Sequence, residues 1–85
     1  MKAKEQKKNV RSLKEIAAEI RKDWGAKMYF GAKPYVSAMA CLDSINDRYI
    51  CESGDYIVRY FLANASSWRG ETARRVKKEL NQMLK

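Results

Sequence analysis

The chain has no histidine, and among its 85 residues it has only two cysteines, one proline and four glycines. Histidine is the commonest zinc ligand and general base, so its absence excludes Ser-His and Cys-His nucleophiles. Cys41 and Cys51 do not form a C-x-x-C pair and are too few for a disulfide framework. No glycine-rich phosphate loop is present. We therefore expect no enzyme activity, no metal site and no cofactor.

Long apolar runs are also missing. No stretch approaches the roughly 18 apolar residues that a membrane span needs, and the charged first residues lack the apolar region of a secretory signal. We expect a cytoplasmic protein with no membrane partner. With 46% hydrophobic residues and little glycine or proline, the composition argues against both a turn-rich all-β fold and a disordered chain.

Positive charge is abundant, with a formal net charge of +8. It is concentrated at the two ends of the chain. Residues 1–14 carry six lysines and arginines against one acid, and residues 69–85 carry six against two. Basic ends of this kind attract polyanions, so DNA or RNA is the partner that the charge pattern favours.

The first helix has clear start and stop signals. Ser12 and Glu15 have the spacing of a capping box, and Gly25 suits the position after the last turn. Between them, apolar residues recur on one helical stripe: Leu13, Ile16, Ala17, Ile20 and Trp24. The lysine-rich residues 1–10 are interpreted as a flexible basic arm, and residues 11–85 as a single helical domain.

Three more helices are expected after the first. Pro34 opens a central helix over 34–46, with Cys41 as a small core residue. Residues 55–64 suit a strand as well as a helix, and a cap at Ser53 favours a helix. A last helix, capped by Ser66 or Ser67, turns inward the side that carries Trp68, Thr72, Val76, Leu80 and Met83. We predict an all-α bundle of about four helices. The alternative is an α+β fold in which residues 28–30 pair with the ambiguous segment as a short two-stranded sheet.

The last two helices have the order of a helix-turn-helix, in which the second helix meets the nucleic acid. The candidate nucleic-acid-binding residues lie on the last helix and on the arm: Arg69, Arg74, Arg75, Lys77, Lys78, Lys7 and Lys8. Arg69 is expected near the core side, in a half-buried ion pair with Asp43, Asp47 or Asp55. Its alternative role is to bind an anion at the start of the helix.

A second function class remains open because the two central helices are unusually apolar. Four short helices are not expected to hide all of the following side chains: Tyr35, Val36, Met39, Tyr56, Tyr60 and Phe61. An exposed apolar patch would favour a protein-interaction module, with a host or element protein or a second copy of the chain as partner.

The run Asn64-Ala65-Ser66-Ser67-Trp68-Arg69-Gly70-Glu71-Thr72-Ala73, with Ala32-Lys33-Pro34-Tyr35 before it, resembles short proteins of Gram-positive phages, plasmids and conjugative transposons. The resemblance covers about the last two-thirds of the chain and the end of the first helix. These are uncharacterised accessory proteins. The resemblance therefore implies a mobile-element setting and assigns no activity and no functional residue.

Overall fold

The computed structural model describes residues 11–85, which form a small bundle of four α-helices. The helices are α1 (Leu13–Trp24), α2 (Lys33–Met39), α3 (Gly54–Ala63) and α4 (Glu71–Met83). Short 3-10 turns at Gly25–Lys27 and Phe30–Ala32 join α1 to α2. The predicted all-α bundle is confirmed. The arm over residues 1–10, with Lys7 and Lys8, lies outside the described residues.

Helix α1 has the predicted cap and the predicted inward face. Ser12 Oγ accepts a hydrogen bond from the Glu15 amide at 3.1 Å, and the Ser12 amide donates to Glu15 Oε1 at 3.0 Å. Gly25 ends the helix with φ +59°, a left-handed value that glycine adopts without a Cβ clash. The predicted stripe is buried in full: Leu13, Ile16, Ala17, Ile20 and Trp24.

Helix α2 ends at Met39, well before the predicted end at residue 46. A tight loop replaces the missing turns because the Asp47 carboxylate accepts hydrogen bonds from the amides of Asp43 and Ser44. Leu42 still reaches the core from this loop. The prediction of Cys41 as a core residue was wrong, since the early end of the helix leaves its side chain exposed.

The loop after α2 also completes the start of α1. The Leu13 amide donates to the Asp43 carbonyl at 3.0 Å, and the Lys14 amide donates to the Leu42 carbonyl at 2.9 Å. The first amides of a helix have no partner inside the helix. Here two of them find partners on a segment distant in sequence.

Residues 54–63 are helical, so the preferred prediction of a helix over residues 55–64 is confirmed. Ser53 stands at the N-cap of α3, but its hydroxyl donates to Asp55 Oδ1 and caps no amide. A short two-stranded pairing is present as well, and it is antiparallel. It joins β1 (Arg48–Tyr49) to β2 (Glu52–Ser53), not residues 28–30 to the segment that forms α3.

The loop between the two strands places a branched side chain in a strained conformation. Ile50 has φ +59°, and its side chain is 82% exposed. Two-residue hairpin loops with a positive φ at the first position favour glycine there. We expect Ile50→Gly to raise the melting temperature by about 4–8 °C, which corresponds to about 1 kcal/mol in a domain of this size.

Ile50→Ala is the matched control for this prediction. It removes the exposed side chain but keeps the Cβ that makes the positive φ costly, so its melting temperature should stay near that of the native protein. Thermal unfolding followed by circular dichroism measures both variants. Equal melting temperatures for the glycine and alanine variants would show that the backbone at Ile50 is not strained.

Helix α4 begins at Glu71, with Gly70 at the N-cap and φ +114°. The prediction that Ser66 or Ser67 caps this helix was wrong, because residues 64–70 form an extended turn. Ala65 and Trp68 are buried and anchor this turn in the core. The connection is longer than the three- to four-residue corner typical of a helix-turn-helix.

Three aromatic rings form the centre of the core at this end of the bundle. The Trp24 and Trp68 rings are stacked, with centroids 5.5 Å apart and an interplanar angle of 13°. Phe61 meets both rings edge-on. The Trp68 indole donates to Asp23 Oδ2 at 2.8 Å, so the ring is fixed by a hydrogen bond as well as by packing. No helix within residues 11–85 is long and apolar enough to cross a membrane.

Candidate nucleic-acid interface

The exposed surface of α4 has two flanks that differ in their charge. Ala73, Val76 and Leu80 face the core. The predicted burial of Val76 and Leu80 is confirmed. At about 100° per residue, Arg75 and Glu79 fall on one flank of this buried stripe. Arg74 and Lys77 fall on the other flank, and Lys78 points directly away from the core.

Carboxylates neutralise the flank that carries Arg75 and Glu79. Arg11 donates to Glu79 through Nε at 3.0 Å and Nη2 at 2.8 Å, and its Nη2 lies 2.8 Å from Glu19 Oε1. Arg75 forms an ion pair with the same Glu19. The hydrogen bond from Arg75 is the main reason why the pKa of Glu19 is lowered. Arg75, one of the predicted binding residues, therefore helps to join α4 to α1.

The opposite flank carries cations without acids. Next to the start of α4 is a shallow surface depression, which we call the cationic depression. Its lining residues include no aspartate or glutamate: Ser66, Trp68, Arg69, Gly70, Ala73, Arg74 and Lys77. Within residues 11–85, no carboxylate forms an ion pair with Arg69, Arg74, Lys77 or Lys78.

Lys77 is the least exposed cation of this depression. Its Nζ donates to the Trp68 carbonyl at 2.7 Å, so the ammonium group is held beside the turn that carries Arg69. The pKa of Lys77 is lowered, first because burial disfavours the charged form and second because the charge of Arg69 repels it. An anion in the depression would reduce this repulsion.

The structure places Arg69 differently from its prediction. The helical wheel assigned Arg69 to the core side, but the residue lies in the turn before α4 and is exposed. The expected half-buried ion pair with Asp43, Asp47 or Asp55 is not formed among the described residues. The wheel gave a wrong direction because it extended a helix through a segment that is not helical.

Tyr29 and Phe30 form a pair of exposed aromatic side chains just before α2. Phe30 is 75% exposed and Tyr29 is 45% exposed, with ring centroids 5.0 Å apart. Tyr29 lines a second depression together with Ala63, Asn64, Ser66 and Ser67. Ser66 borders both depressions, so the depression that Tyr29 lines adjoins the cationic depression.

A row of tyrosines forms a separate feature on α2 and α3. The rings of Tyr35 and Tyr60 are 5.6 Å apart, and those of Tyr60 and Tyr56 are 6.0 Å apart. Tyr56 and Tyr60 are exposed and Tyr35 is half-buried, whereas the other three side chains of the expected apolar surplus are buried: Val36, Met39 and Phe61. Of the six side chains that were expected to stay partly exposed, only the three tyrosines are accessible to solvent.

The described part of the chain contains no group of three or more acidic or cysteine side chains placed to hold a metal ion. Comparison of the chain with protein-family models, with curated proteins and with solved structures finds no match.

Proposed function

We propose that this domain binds a nucleic acid through the cationic depression. The observation that carries the proposal is that Arg69, Arg74 and Lys77 line one depression, and that no aspartate or glutamate among residues 11–85 lines it. The same helix has its other flank closed by Glu19 and Glu79. Among the described residues, Glu19 and Glu79 therefore neutralise cations on one flank of α4 and not on the other.

The geometry suits a phosphate backbone better than a small ligand. The depression is shallow and lies beside the exposed Lys78, so an extended anion can contact several cations in succession. Arginine offers a fork of donors to phosphate oxygens, while lysine acts as a point charge. Lys77, which Trp68 holds in position, would approach the same phosphate groups as Arg69.

The test is a salt series of fluorescence anisotropy with a labelled nucleic acid. Affinity for a duplex should fall by about 0.9 log unit per log unit of salt for each phosphate neutralised. We expect Arg74→Glu to weaken binding and to reduce the salt slope by about 1, because one phosphate contact is lost. Arg74 is exposed and pairs with no described acid, so the substitution should leave folding intact.

Lys22→Glu is the matched control for net charge. Lys22 is exposed on α1, outside the lining of the cationic depression, and its reversal changes the total charge by the same amount. If both variants weaken binding equally, the attraction is a property of the whole molecule and not of the depression. Absence of binding at low salt would overturn the proposal itself.

A protein-interaction role is the second candidate, and the row of Tyr35, Tyr56 and Tyr60 favours it. Amphipathic aromatic rings of this kind are enriched in protein interfaces. A second copy of the chain or a host or element protein would cover this row, which lies on α2 and α3 outside the cationic depression. The mobile-element setting, proposed here only from the sequence resemblance, is compatible with either role.

A further inference from the structure

The aromatic pair Tyr29 and Phe30 is positioned on the surface by local backbone structure. Phe30 belongs to a 3-10 turn, and Tyr29 stands immediately before it. A Cβ atom at Gly31 would lie 2.6 Å from Tyr29 Cε2 and 3.0 Å from Asn64 Oδ1. The Tyr29 ring therefore packs on the backbone of Gly31, where there is no side chain. Asn64, the residue that follows α3, lies beside the same position.

Phe30 has the most exposed ring among residues 11–85. Exposing most of a phenylalanine side chain gives up the free energy that its burial would provide. A single exposed apolar residue is common in soluble proteins. This ring, however, is paired at 5.0 Å with the exposed ring of Tyr29, and Tyr29 lines the depression that adjoins the cationic depression at Ser66.

Polar residues line the depression beside Tyr29, among them Asn64, Ser66 and Ser67. Ser66 also lines the cationic depression, so the two depressions adjoin there. Neither depression is lined by aspartate or glutamate. A tyrosine ring, hydroxyl and amide groups, and cations therefore line two adjoining depressions.

The combination of exposed aromatic rings, polar groups and cations suits the binding of an unpaired nucleic-acid strand. Single-strand binders combine a positive groove for the backbone with aromatic rings on which bases stack. In a duplex, the faces of the bases are covered by their neighbours, so a surface ring gains nothing from them. We infer that the domain binds a single-stranded polynucleotide, with bases stacked on Tyr29 and Phe30 and phosphates on Arg69, Arg74 and Lys77. This inference rests on the proposed function and adds the class of nucleic acid.

The experiment compares Phe30→Ala with the native chain on three labelled ligands: oligothymidylate, oligouridylate and a mixed-sequence duplex. Strands of about 12 nucleotides lie within the site sizes of small single-strand binders. We expect the substitution to weaken single-strand binding about tenfold, the effect of losing one stacked base, and to leave duplex binding unchanged. A tenfold loss on either single strand, with duplex binding unchanged, would support the inference.

Tyr56→Ala is the matched control, because Tyr56 is also exposed (54%) but lies two turns from Asn64 at the other end of α3. It should leave binding to all three ligands unchanged. Phe30→Trp supplies a second measurement, since it keeps a ring for stacking. Its affinity should stay native. The chain already contains Trp24 and Trp68, so the added emission is the difference from the native chain, and this difference should be quenched by a single strand and not by a duplex.

The outcomes separate this inference from the proposal on which it rests. Arg74→Glu is measured beside Phe30→Ala on the same ligands. Loss of affinity in Arg74→Glu with no change in Phe30→Ala and no quenching in Phe30→Trp would overturn the stacking inference and leave the cationic depression standing. Equal losses of single-strand and duplex binding in Phe30→Ala would also overturn it. No binding by the native chain to any of the three ligands would overturn both.

Discussion

Replacing Trp68 with alanine is expected to lower the free energy of unfolding by about 3–5 kcal/mol. The ring is 2% exposed and stacks on Trp24, and its indole nitrogen donates to Asp23. Its removal opens a cavity between α1 and the end of α3. A chain of this length has a stability of about 4–13 kcal/mol, so the loss is a large share of the total. Urea unfolding followed by far-UV circular dichroism measures it.

Trp68→Phe is the control, since it keeps an aromatic ring against Trp24 and loses the hydrogen bond to Asp23. We expect a smaller loss, of about 1–2 kcal/mol. A loss below about 1 kcal/mol in Trp68→Ala would show that the turn over residues 64–70 is not anchored by this ring. The position of Arg69, the next residue, would then need a different explanation.

The second large effect is expected at Gly54, where an added methyl group has no room. A Cβ atom there would lie 2.8 Å from both Ile45 Cα and the Ser44 carbonyl oxygen. These are backbone atoms, and the hydrogen bond from the Gly54 amide to the Asp47 carbonyl (2.7 Å) holds the two segments together. We expect Gly54→Ala to lower the free energy of unfolding by about 2–3 kcal/mol, the cost of overpacking a site that cannot relax easily.

Gly25→Ala is the comparison for Gly54→Ala, because it introduces backbone strain without a steric clash. A Cβ atom at Gly25 meets nothing within 4 Å, but its φ of +59° is costly for any residue with a side chain. We expect a loss of about 1–3 kcal/mol there, because φ +59° with ψ −138° is a backbone conformation that residues with a side chain rarely adopt. Chemical unfolding measures both variants, and a Gly54→Ala variant as stable as the native chain would contradict the steric argument.

Local signals predicted α1 almost to the residue. The capping box, the apolar stripe and the terminal glycine all lie within a short stretch of chain, and each acts through neighbours in sequence. The same holds for the inward side of α4, where Val76 and Leu80 are buried as predicted. Patterns with one periodicity and clear end signals specify a helix without knowledge of the rest of the fold.

The end of α2 and the start of α4 could not be predicted in the same way. The apolar run from Tyr35 to Leu42 reads as one helix, yet Leu42 reaches the core from a loop closed by Asp47. Trp68 fits the stripe of α4 on a helical wheel, but it is buried from the turn that precedes the helix. Hydrophobicity indicates that a residue is buried and does not show which backbone conformation carries it there.

The candidate site depended on information that no local pattern contains. Whether a cation is free is decided by acids from distant parts of the chain, and here Glu19 on α1 pairs with Arg75 while Arg74, the preceding residue, has no described partner. The sequence did not distinguish among the five candidate cations at this end of the chain: Arg69, Arg74, Arg75, Lys77 and Lys78. In the fold, Arg75 is neutralised by Glu19, and the other four form no ion pair within residues 11–85.

The hydrogen bonds from the Leu13 and Lys14 amides to the loop after α2 have a consequence for how this domain comes apart. Helices commonly fray from their first turn, where amides are open to solvent. In α1 the first turn is hydrogen-bonded to residues 42 and 43, so it opens only when these hydrogen bonds to the loop also break. The N-terminal end of this helix and the middle of the chain should therefore melt as one cooperative unit.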